Sequence, residues 1–283
     1  MKIGIIGYGF VGKAMENGIK DNVDIFLVDP ILNTKISDLK DFLPEIIFIC
    51  VPTPMNEDGS QDLSIIDSVL KEVKENSINS KIVIKSTVLP DGIIGIEKLI
   101  PDVIYNPEFL REKHAFEDFI GSEIIIFGGQ KDSANEIANF YRKHTNCINS
   151  DYQFTDLITA SMVKYSINTF LSTKVIFFNQ IFNIFKSLSN EKNWEQFVKI
   201  ISKDKRIGSS HLSVPGHDGR YGFGGACLPK DSSALINYAS SIDESLTLLE
   251  KSVEINNSIR SAYDKETQRE IDQSINFENK TKD

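Results

Sequence analysis

The sequence predicts an α/β fold, with an N-terminal Rossmann-like, doubly wound parallel sheet followed by a long central helix and an all-helical domain. Short apolar runs alternate with amphipathic stretches in the first half, a glycine-rich turn follows the first run, and residues 155–188 contain no Gly or Pro. The predicted domains are residues 1–150 for the sheet domain, 151–268 for the helical domain and 269–283 for a polar tail.

The composition is that of a soluble globular protein. The 283 residues are 41% hydrophobic and 25% charged, and the formal net charge of −9 disfavours general binding to nucleic acid. No apolar stretch is long enough to span a membrane and no secretory leader precedes the first strand, so we expect a cytoplasmic protein. The three cysteines are far apart and the four histidines lack metal-ligand spacing, so neither a disulfide framework nor a metal site is expected.

The strands of the first half are predicted from runs of Ile, Val and Phe, which are typical of parallel strands buried on both faces. They are residues 2–6, 24–28, 45–51, 81–85, 103–105 and 123–127. Between them, amphipathic spacing predicts helices over residues 12–20, 63–75 and 133–144. Strands that alternate with helices and are joined by right-handed crossovers give a doubly wound sheet.

One long helix is predicted over residues 155–188, about 50 Å if unbroken at 1.5 Å per residue. Its second half, "KVIFFNQIFNIFKSL", is apolar around much of its circumference and must be covered on more than one side. We expect it to form the core of a homodimer; the alternative is the central helix of a monomeric helical domain. Further helices are expected after the cysteine motif described below and over residues 243–263, and residues 267–283 are expected to fray.

The first strand runs directly into "GYGFVG", a GxGxxG pattern. Gly7 permits a tight turn, Gly9 lets the backbone approach a pyrophosphate, and Gly12 allows the following helix to pack closely on the strand. Asp29 ends the second strand, where an acid accepts hydrogen bonds from ribose hydroxyls and repels a 2′-phosphate. The pattern favours NAD over NADP, and the alternative is a tight turn with no ligand.

Polar or proline-bearing segments follow three of the predicted strands, namely Pro52-Thr53-Pro54, Ser86-Thr87 and Asn106-Pro107-Glu108. Ligands of open α/β sheets bind outside the carboxyl ends of the strands, so these segments are expected to line one crevice. Each of Thr53, Thr87 and Glu108 taken alone would also suit an ordinary turn at a strand end.

A cysteine lies within "RYGFGGACLPKD", residues 220–231. The glycines let the backbone approach a ligand or adopt positive φ. Pro229 and Asp231 suit the first turn of a helix, which places Cys227 at the helix N-terminus, where a thiolate is favoured, with Lys230 adding positive charge. Cys227 is therefore a candidate nucleophile, and a small buried cysteine is the alternative.

Lys164 and Asn168 are four residues apart on the long helix and therefore share a face. Together they are suited to stabilising a developing oxyanion. Two polar residues on a solvated face are the alternative.

Seven segments together resemble the UDP-glucose/GDP-mannose dehydrogenase family of nucleotide-sugar 6-dehydrogenases. In order they are "GYGFVG", "VPTP", "KSTV", "NPEFLRE", "VKYSINTFLSTKVIFFNQ", "KRIG" and "GFGGACLPKD", and they extend to about residue 260. The resemblance implies an NAD-dependent, two-step oxidation of a sugar C6 alcohol to the carboxylate. Hydride loss gives an aldehyde, the thiolate of Cys227 attacks it, the thiohemiacetal loses a second hydride, and the thioester is hydrolysed.

The resemblance also implies site residues. The implied catalytic residues are Cys227, Lys164, Asn168, Asp231, Thr87 and Glu108. The implied cofactor-binding residues are Gly7, Gly9, Phe10, Val11, Gly12, Asp29, Pro52, Thr53, Ser86, Thr87, Glu112 and Lys230. The implied substrate-binding residues are Glu108, Phe109, Leu110, Arg111, Lys164, Asn168, Arg206, Arg220, Tyr221, Gly222, Phe223 and Gly224.

The chain departs from the family pattern in three ways. Ser161 and Gln180 stand where the family usually has Glu, and the chain is expected to lack the C-terminal nucleotide-binding domain of family members. Other functions remain open: an NAD-binding relative without catalysis, one half of a split enzyme, a two-electron dehydrogenase of the hydroxyacid type, or an acyl-transfer enzyme that pairs Cys227 with His217.

Overall fold

The structure, a computed structural model, describes residues 1–188 and 193–277. Its strands are β1 (Lys2–Ile6), β2 (Asp24–Val28), β3 (Ile46–Ile49), β4 (Lys81–Ile84), β5 (Ile104–Tyr105), β6 (Ile126–Gly128) and β7 (Gln153–Thr155). In this part of the chain they form one seven-stranded sheet with the order β2-β1-β3-β4-β5-β6-β7. The prediction of a doubly wound α/β fold is confirmed, with one correction: β6 pairs antiparallel with β5, whereas every other pairing is parallel.

The helices predicted from the sequence are present in the described residues with shifts of a few residues at their ends, together with further helices that were not predicted. They are α1 (Phe10–Gly18), α2 (Leu39–Phe42), α3 (Ser64–Glu75), α4 (Pro90–Leu99), α5 (Ala115–Ile120), α6 (Lys131–His144), α7 (Leu157–Leu188), α8 (Trp194–Ile201), α9 (Leu228–Ser241), α10 (Thr247–Arg260) and α11 (Gln268–Ile271). The long predicted helix is α7, with 32 residues, and its expected first residue, Thr155, belongs instead to β7.

The chain divides into two compact units. The first comprises Met1–Thr53 and Asp62–Lys164, and the second comprises Pro54–Gln61 and Tyr165–Asp283. The boundary near residue 164 falls inside α7, so this helix contributes its first turns to one unit and the remainder to the other. The predicted domain bounds near residues 150 and 268 stay a prediction.

Alternate side chains of the strands feed two apolar layers in the first unit, because successive residues of a strand point to opposite faces. Ile46 and Phe48 of β3 belong to the layer that includes residues of α1, α5 and α6. Ile47 and Ile49 belong to the layer that includes residues of α3 and α4. The sheet is therefore covered on both faces, as its continuous apolar strands require.

The strand order reverses at β1, which lies between β2 and β3. Such a reversal opens a crevice at the carboxyl ends of the strands, where open α/β sheets bind their ligands. The turn from β1 into α1 lies at this point, and it is the glycine-rich segment singled out in the sequence.

The second unit has its own apolar cluster, built around α7. Phe178 and Phe182 of α7 pack with Trp194, Leu212 and Val214. Along its length α7 also carries exposed apolar side chains that repeat every seven residues, namely Phe170, Phe177 and Ile184. We refer to these three as the α7 stripe.

Residues 267–277 correct the expectation of a frayed polar tail. Thr267 caps α11, accepting a hydrogen bond from the backbone of Glu270. The Glu270 side chain is fully buried, and Ile275 and Phe277 are buried as well. The prediction was wrong because the charged residues were expected to face solvent, whereas Glu270 forms a buried ion pair with Arg260. The rest of the expected tail lies outside the described residues.

Among the helices of residues 1–188 and 193–277, none is both long and apolar enough to cross a membrane.

Candidate active site

The turn between β1 and α1 has the backbone shape that a phosphate group needs. Gly7 has a φ of +95°, and a Cβ at Gly7 would lie 2.8 Å from the Cys50 carbonyl. A Cβ at Gly12 would collide with the Gly7 carbonyl oxygen, whereas one at Gly9 would meet open space. The first turn of α1 contains no acidic residue. The N-terminal end of α1, where the helix dipole is positive, therefore fits the pyrophosphate of a dinucleotide.

Asp29, at the end of β2, is fixed against this turn. Its Oδ2 accepts a hydrogen bond from the backbone N–H of Tyr8 at 2.7 Å, and its Oδ1 accepts one from Ile31 at 2.9 Å. An ionised carboxylate has about four acceptor positions, so capacity remains for two ribose hydroxyls. The residues of the turn and of Asp29 fit NAD, as the sequence predicts.

The ends of β3 and β4 are tied together at the same edge of the sheet. The Thr53 hydroxyl donates to the Thr87 carbonyl at 2.9 Å, and the Ser86 hydroxyl donates to the Val51 carbonyl at 2.6 Å. These bonds hold the "VPTP" and "KSTV" segments side by side. Three of the residues predicted to line the crevice, Thr53, Ser86 and Thr87, are thus brought together.

Glu108, just beyond β5, is buried and held by Lys164 of α7. The Lys164 ammonium donates to the main-chain carbonyl of Glu108 at 2.5 Å and lies 3.3 Å from its carboxylate. The other carboxylate oxygen accepts from the backbone N–H of Leu110 at 2.5 Å. Lys164 also lies over the Phe109 ring at 5.3 Å. The sequence predicted Glu108 and Lys164 as site residues but did not predict that they pair.

A buried polar network beneath this segment was missed by sequence reasoning. Lys85 donates to Asn106 Oδ1 at 2.9 Å, and the Tyr141 hydroxyl donates to the same oxygen at 2.6 Å. Asn106 Nδ2 in turn donates to the Ile126 carbonyl at 2.7 Å. Burial lowers the pKa of Lys85 below its ordinary value of 10.5. The one available signal was a lysine at the end of the apolar run "KIVIK".

In the second unit, Cys227 is the N-cap residue of α9, as predicted from Pro229 and Asp231. Asp231 is buried, and its carboxylate accepts from Asn168 Nδ2 at 2.6 Å and from the Lys230 ammonium at 2.5 Å. A thiol at a helix N-terminus is stabilised as thiolate by the N–H groups and the helix dipole. The structure therefore brings Asn168 of α7 against Asp231, which lies with Lys230 in the first turn of α9 behind the cysteine.

The other two cysteines lie in apolar surroundings that favour the neutral thiol. Burial raises the pKa of Cys50 from 9.0 to about 12, and burial also raises the pKa of Cys147. Cys227 is the one cysteine of the chain's three that stands at a helix N-terminus.

Side chains of α7 and α10 hold the backbone of the loop that precedes Cys227. Asn179 Oδ1 accepts from the N–H of Gly222 at 3.0 Å. Asn256 accepts from the N–H of Phe223 at 2.6 Å and donates to its carbonyl at 3.0 Å. Sequence reasoning missed Asn179 and Asn256, because an asparagine inside a helix gives no sign of the loop it will bind.

The remaining predicted residues occupy varied surroundings, and their roles stay predictions. Arg111 forms a two-pronged ion pair with Asp118, at 2.7 and 2.9 Å. Arg206 is exposed and pairs with Asp204. Arg220 lies over a tyrosine ring. Phe10 and Val11 begin α1, Pro52 follows β3, Glu112 opens a short exposed turn, and Tyr221 and Gly224 belong to the cysteine loop.

Comparison with known proteins gives the same family for both parts of the chain. Residues 37–145 match the NAD binding domain of the UDP-glucose/GDP-mannose dehydrogenase family, and residues 158–258 match its central domain. The glycine-rich turn precedes the first match, so its assignment rests on the geometry above.

Individual relatives agree with these matches. A UDP-glucose 6-dehydrogenase of Bacillus subtilis is 32% identical over 259 residues, covering 87% of this chain and 56% of the relative. One from Rickettsia felis is 37% identical over 203 residues, covering 68% and 43%. A solved UDP-glucose dehydrogenase from Pyrobaculum islandicum shares the fold, with a TM-score of 0.73 and 23% identity, covering 91% of this chain and 68% of that one.

The chain spans about half the length of the curated relatives it matches. Its two matched segments nevertheless cover most of its residues, and they include the ends of β3 and β4, the Glu108–Lys164 pair and the cysteine loop. The chain belongs to the UDP-glucose/GDP-mannose dehydrogenase family.

Proposed function

We propose that the protein oxidises the C6 alcohol of a nucleotide sugar of the UDP-glucose type to the uronic acid, in two hydride transfers to NAD. Family membership and the fit of the β1–α1 turn to a dinucleotide support the cofactor. The observation that carries the proposal is Cys227 at the N-cap of α9, next to the buried Asp231, in a chain of this family.

Bound NAD supplies the hydride acceptor for both oxidations. The side chains supply the rest: the Cys227 thiolate adds to the aldehyde carbon, and the resulting thiohemiacetal can lose a hydride to become a thioester. Water then cleaves the thioester and restores the thiol, with Asp231 positioned to hold that water. A nucleophile is needed because an aldehyde cannot lose hydride to give an acid until a group has added to its carbon.

Lys164 and Asn168 are proposed to stabilise the oxyanions of these steps. Each is a buried donor already bonded to a carboxylate, Lys164 to Glu108 and Asn168 to Asp231. Removing one such donor typically raises a barrier by about 2.7–4 kcal/mol. The family departure at Ser161 is accommodated locally, because its buried hydroxyl donates to the Val88 carbonyl at 2.7 Å. Gln180, the second departure, is exposed on α7.

The experiment is to incubate the purified protein with NAD and UDP-glucose, UDP-N-acetyl sugars or GDP-mannose, and to follow NADH by absorbance. Two NADH per substrate consumed are expected. No NADH from any sugar nucleotide, with NAD binding intact, would indicate a cofactor-binding relative or one half of a split enzyme.

Replacement of the nucleophile tests the covalent step. Cys227→Ser is expected to abolish carboxylate formation, because a serine hydroxyl at this position is not ionised near neutral pH. Cys147→Ser is the matched control, since that thiol has no role in the proposal. Normal carboxylate production by Cys227→Ser would exclude the thioester route.

We further propose that the chain forms a homodimer through α7. The α7 stripe leaves Phe170, Phe177 and Ile184 more than half exposed at heptad spacing, which suits packing against a second helix of the same kind. Sedimentation velocity tests this: Phe177→Glu should give monomers, whereas Ile200→Glu, at an equally exposed position on α8, should not. A monomeric wild-type protein would refute the dimer.

A further inference from the structure

The loop that carries Cys227 rests on a buried group of charges near the end of the described chain. Arg260, the last residue of α10, donates to Asp218 Oδ2 at 2.7 Å and to Glu270 Oε1 at 2.7 Å. The side chains of Arg260 and Glu270 are both 0% exposed. Asp218 lies at the start of the loop, so Arg260 connects the loop to α11.

Glu270 holds the loop directly as well. Its Oε1 accepts a hydrogen bond from the backbone N–H of Gly225 at 3.1 Å, two residues before the cysteine. Its Oε2 accepts from the N–H of Thr267 at 2.7 Å, which fixes the carboxylate to the first turn of α11. One carboxylate thus joins the loop, α11 and the guanidinium of Arg260.

The glycines of the loop fit this arrangement. A Cβ at Gly224 would collide with the Arg260 guanidinium and the Glu270 carboxylate. Gly225 has a φ of +79°, which side-chain-bearing residues rarely adopt. The "GFGG" sequence therefore lets the backbone lie directly against the ion pair, and this contact explains Gly224, for which the sequence alone offered ligand approach or positive φ.

Burying a charge pair is unfavourable unless further hydrogen bonds compensate for the lost hydration, and most of the polar atoms of this pair have such bonds, with Arg260 Nε as the exception. Here Arg260 donates two hydrogen bonds, and the backbone N–H groups of Gly225 and Thr267 donate to Glu270. The Thr267 cap adds to them, although α11 itself has only four residues. The Arg260 guanidinium also lies over the rings of Tyr263 and Phe277, at 5.8 and 5.3 Å. Arg260 and Glu270 therefore contact the loop that precedes Cys227 and do not only pack against the face of a neighbouring helix.

We propose that Arg260 and Glu270 are positioning residues for Cys227: they fix the backbone of residues 218–225 so that the thiol stays at the N-terminus of α9. This inference deepens the proposed function and rests on it for the role of the thiol. The segment 267–277 is then part of the catalytic apparatus of this chain, although neither Arg260 nor Glu270 touches the reacting atoms.

Hydrogen exchange followed by mass spectrometry on the full chain tests the contact without any need for turnover. Glu270→Gln removes the charge and keeps the side-chain shape, and it should speed exchange of the peptide covering residues 221–230 by about tenfold or more, as expected when a hydrogen bond to a buried charge is lost. Glu254→Gln, in the exposed Lys251 pair on α10, is the matched control and should leave this peptide unchanged.

The pH dependence of Cys227 alkylation tests whether the contact positions the thiol. Iodoacetamide labelling of each cysteine is read separately by mass spectrometry, and the midpoint for Cys227 should rise in Glu270→Gln as the thiol leaves the helix N-terminus, whereas removal of a nearby negative charge alone would lower it. Faster exchange with an unchanged midpoint would mean that the pair only stiffens the loop, and the positioning role would be wrong. Faster exchange throughout the second unit would likewise contradict it.

Thr267→Ala is the milder variant if Glu270→Gln does not fold, because it removes the α11 cap and leaves both charges in place. It should shift exchange and midpoint in the same direction by a smaller amount. Failure of the positioning role can be distinguished from failure of the proposed function. An unchanged Glu270→Gln in a protein that makes two NADH per substrate refutes only the positioning role, whereas a shifted loop in a protein that makes none refutes only the dehydrogenase.

Discussion

Two buried charges of the first unit, those of Lys164 and Glu108, form an ion pair. Lys164 and Glu108 are both nearly inaccessible to solvent, at 3% and 7% exposure of their side chains. Replacing one partner of such a pair leaves the other buried without compensation, which typically destabilises a protein by about 3–5 kcal/mol. We therefore expect Lys164 to stabilise the folded protein, independently of any effect on the reaction.

Lys164→Met is expected to lower the free energy of unfolding by about 3–5 kcal/mol, measured by urea denaturation followed by circular dichroism. Adding Glu108→Gln should recover part of the loss, because no carboxylate is then left unpaired. Lys251→Met, in an exposed pair with Glu254, should change stability by less than about 1 kcal/mol. Equal effects of the two lysine replacements would contradict the pairing.

Local chemistry made some residues predictable and left others hidden. The position of Cys227 followed from the proline and aspartate after it, because helix N-termini have their own sequence preferences. The Glu108–Lys164 pair joins residues 56 positions apart, and only the folded topology brings them together. Glu270 was interpreted as an exposed charge for the same reason, because its partner Arg260 could not be identified from the sequence.

At the scale of elements, the β1–α1 turn separates two uses of glycine. Gly12 is needed by the fold, because a Cβ at this position would collide with the Gly7 carbonyl oxygen. Gly9 faces open space with an ordinary φ of −76°, so the fold itself would accept a side chain there. A ligand bound against the backbone at Gly9, by contrast, would collide with that side chain.

Gly9→Ala should therefore leave the melting temperature nearly unchanged while weakening NAD binding about tenfold or more, as measured by isothermal titration calorimetry. Gly12→Ala should lower the melting temperature clearly, by several degrees, because its Cβ displaces backbone. Unaltered NAD affinity in Gly9→Ala would show that the pyrophosphate does not bind at this turn.

The sheet shows why element type is easier to predict than arrangement. Apolar runs identified β1 to β4 to within two residues, but an apolar run has no direction, so the antiparallel pairing of β6 with β5 was not visible. Strand β7 was missed because its three residues are largely exposed and carry no apolar run. The tail from Thr267 to Phe277 was missed because its few apolar residues are too widely spaced to show a period.

Across the whole molecule, acid should weaken the second unit. Burial alone would raise the pKa values of Asp218 and Glu270, but hydrogen bonds from Arg260 to Asp218, and from the Thr267 and Gly225 N–H groups to Glu270, outweigh it. Both pKa values therefore lie below their ordinary values of 3.8 and 4.5. The stability that these carboxylates contribute is complete above the ordinary values and is lost as pH falls through the lowered ones.

Denaturation followed by Trp194 fluorescence, the chain's single tryptophan, measures this in the second unit. The free energy of unfolding should fall as pH decreases from about 5 to 3, and the combined Asp218→Asn and Glu270→Gln variant should show a shallower fall. If the free energy of unfolding of the variant decreases with pH as steeply as that of the wild type, other carboxylates are responsible for the loss of stability in acid.

The segment Pro54–Gln61 interrupts the first unit in sequence yet belongs to the second. Its Met55 N–H bonds the Gln273 carbonyl at 3.2 Å, and the Asp58 carbonyl accepts from Asn237 at 3.1 Å. During synthesis from the N-terminus, this segment leaves the ribosome long before its partners exist. The first unit can therefore fold while this segment still lacks its partners, and the segment can form its bond to Gln273 only after that residue has been synthesised.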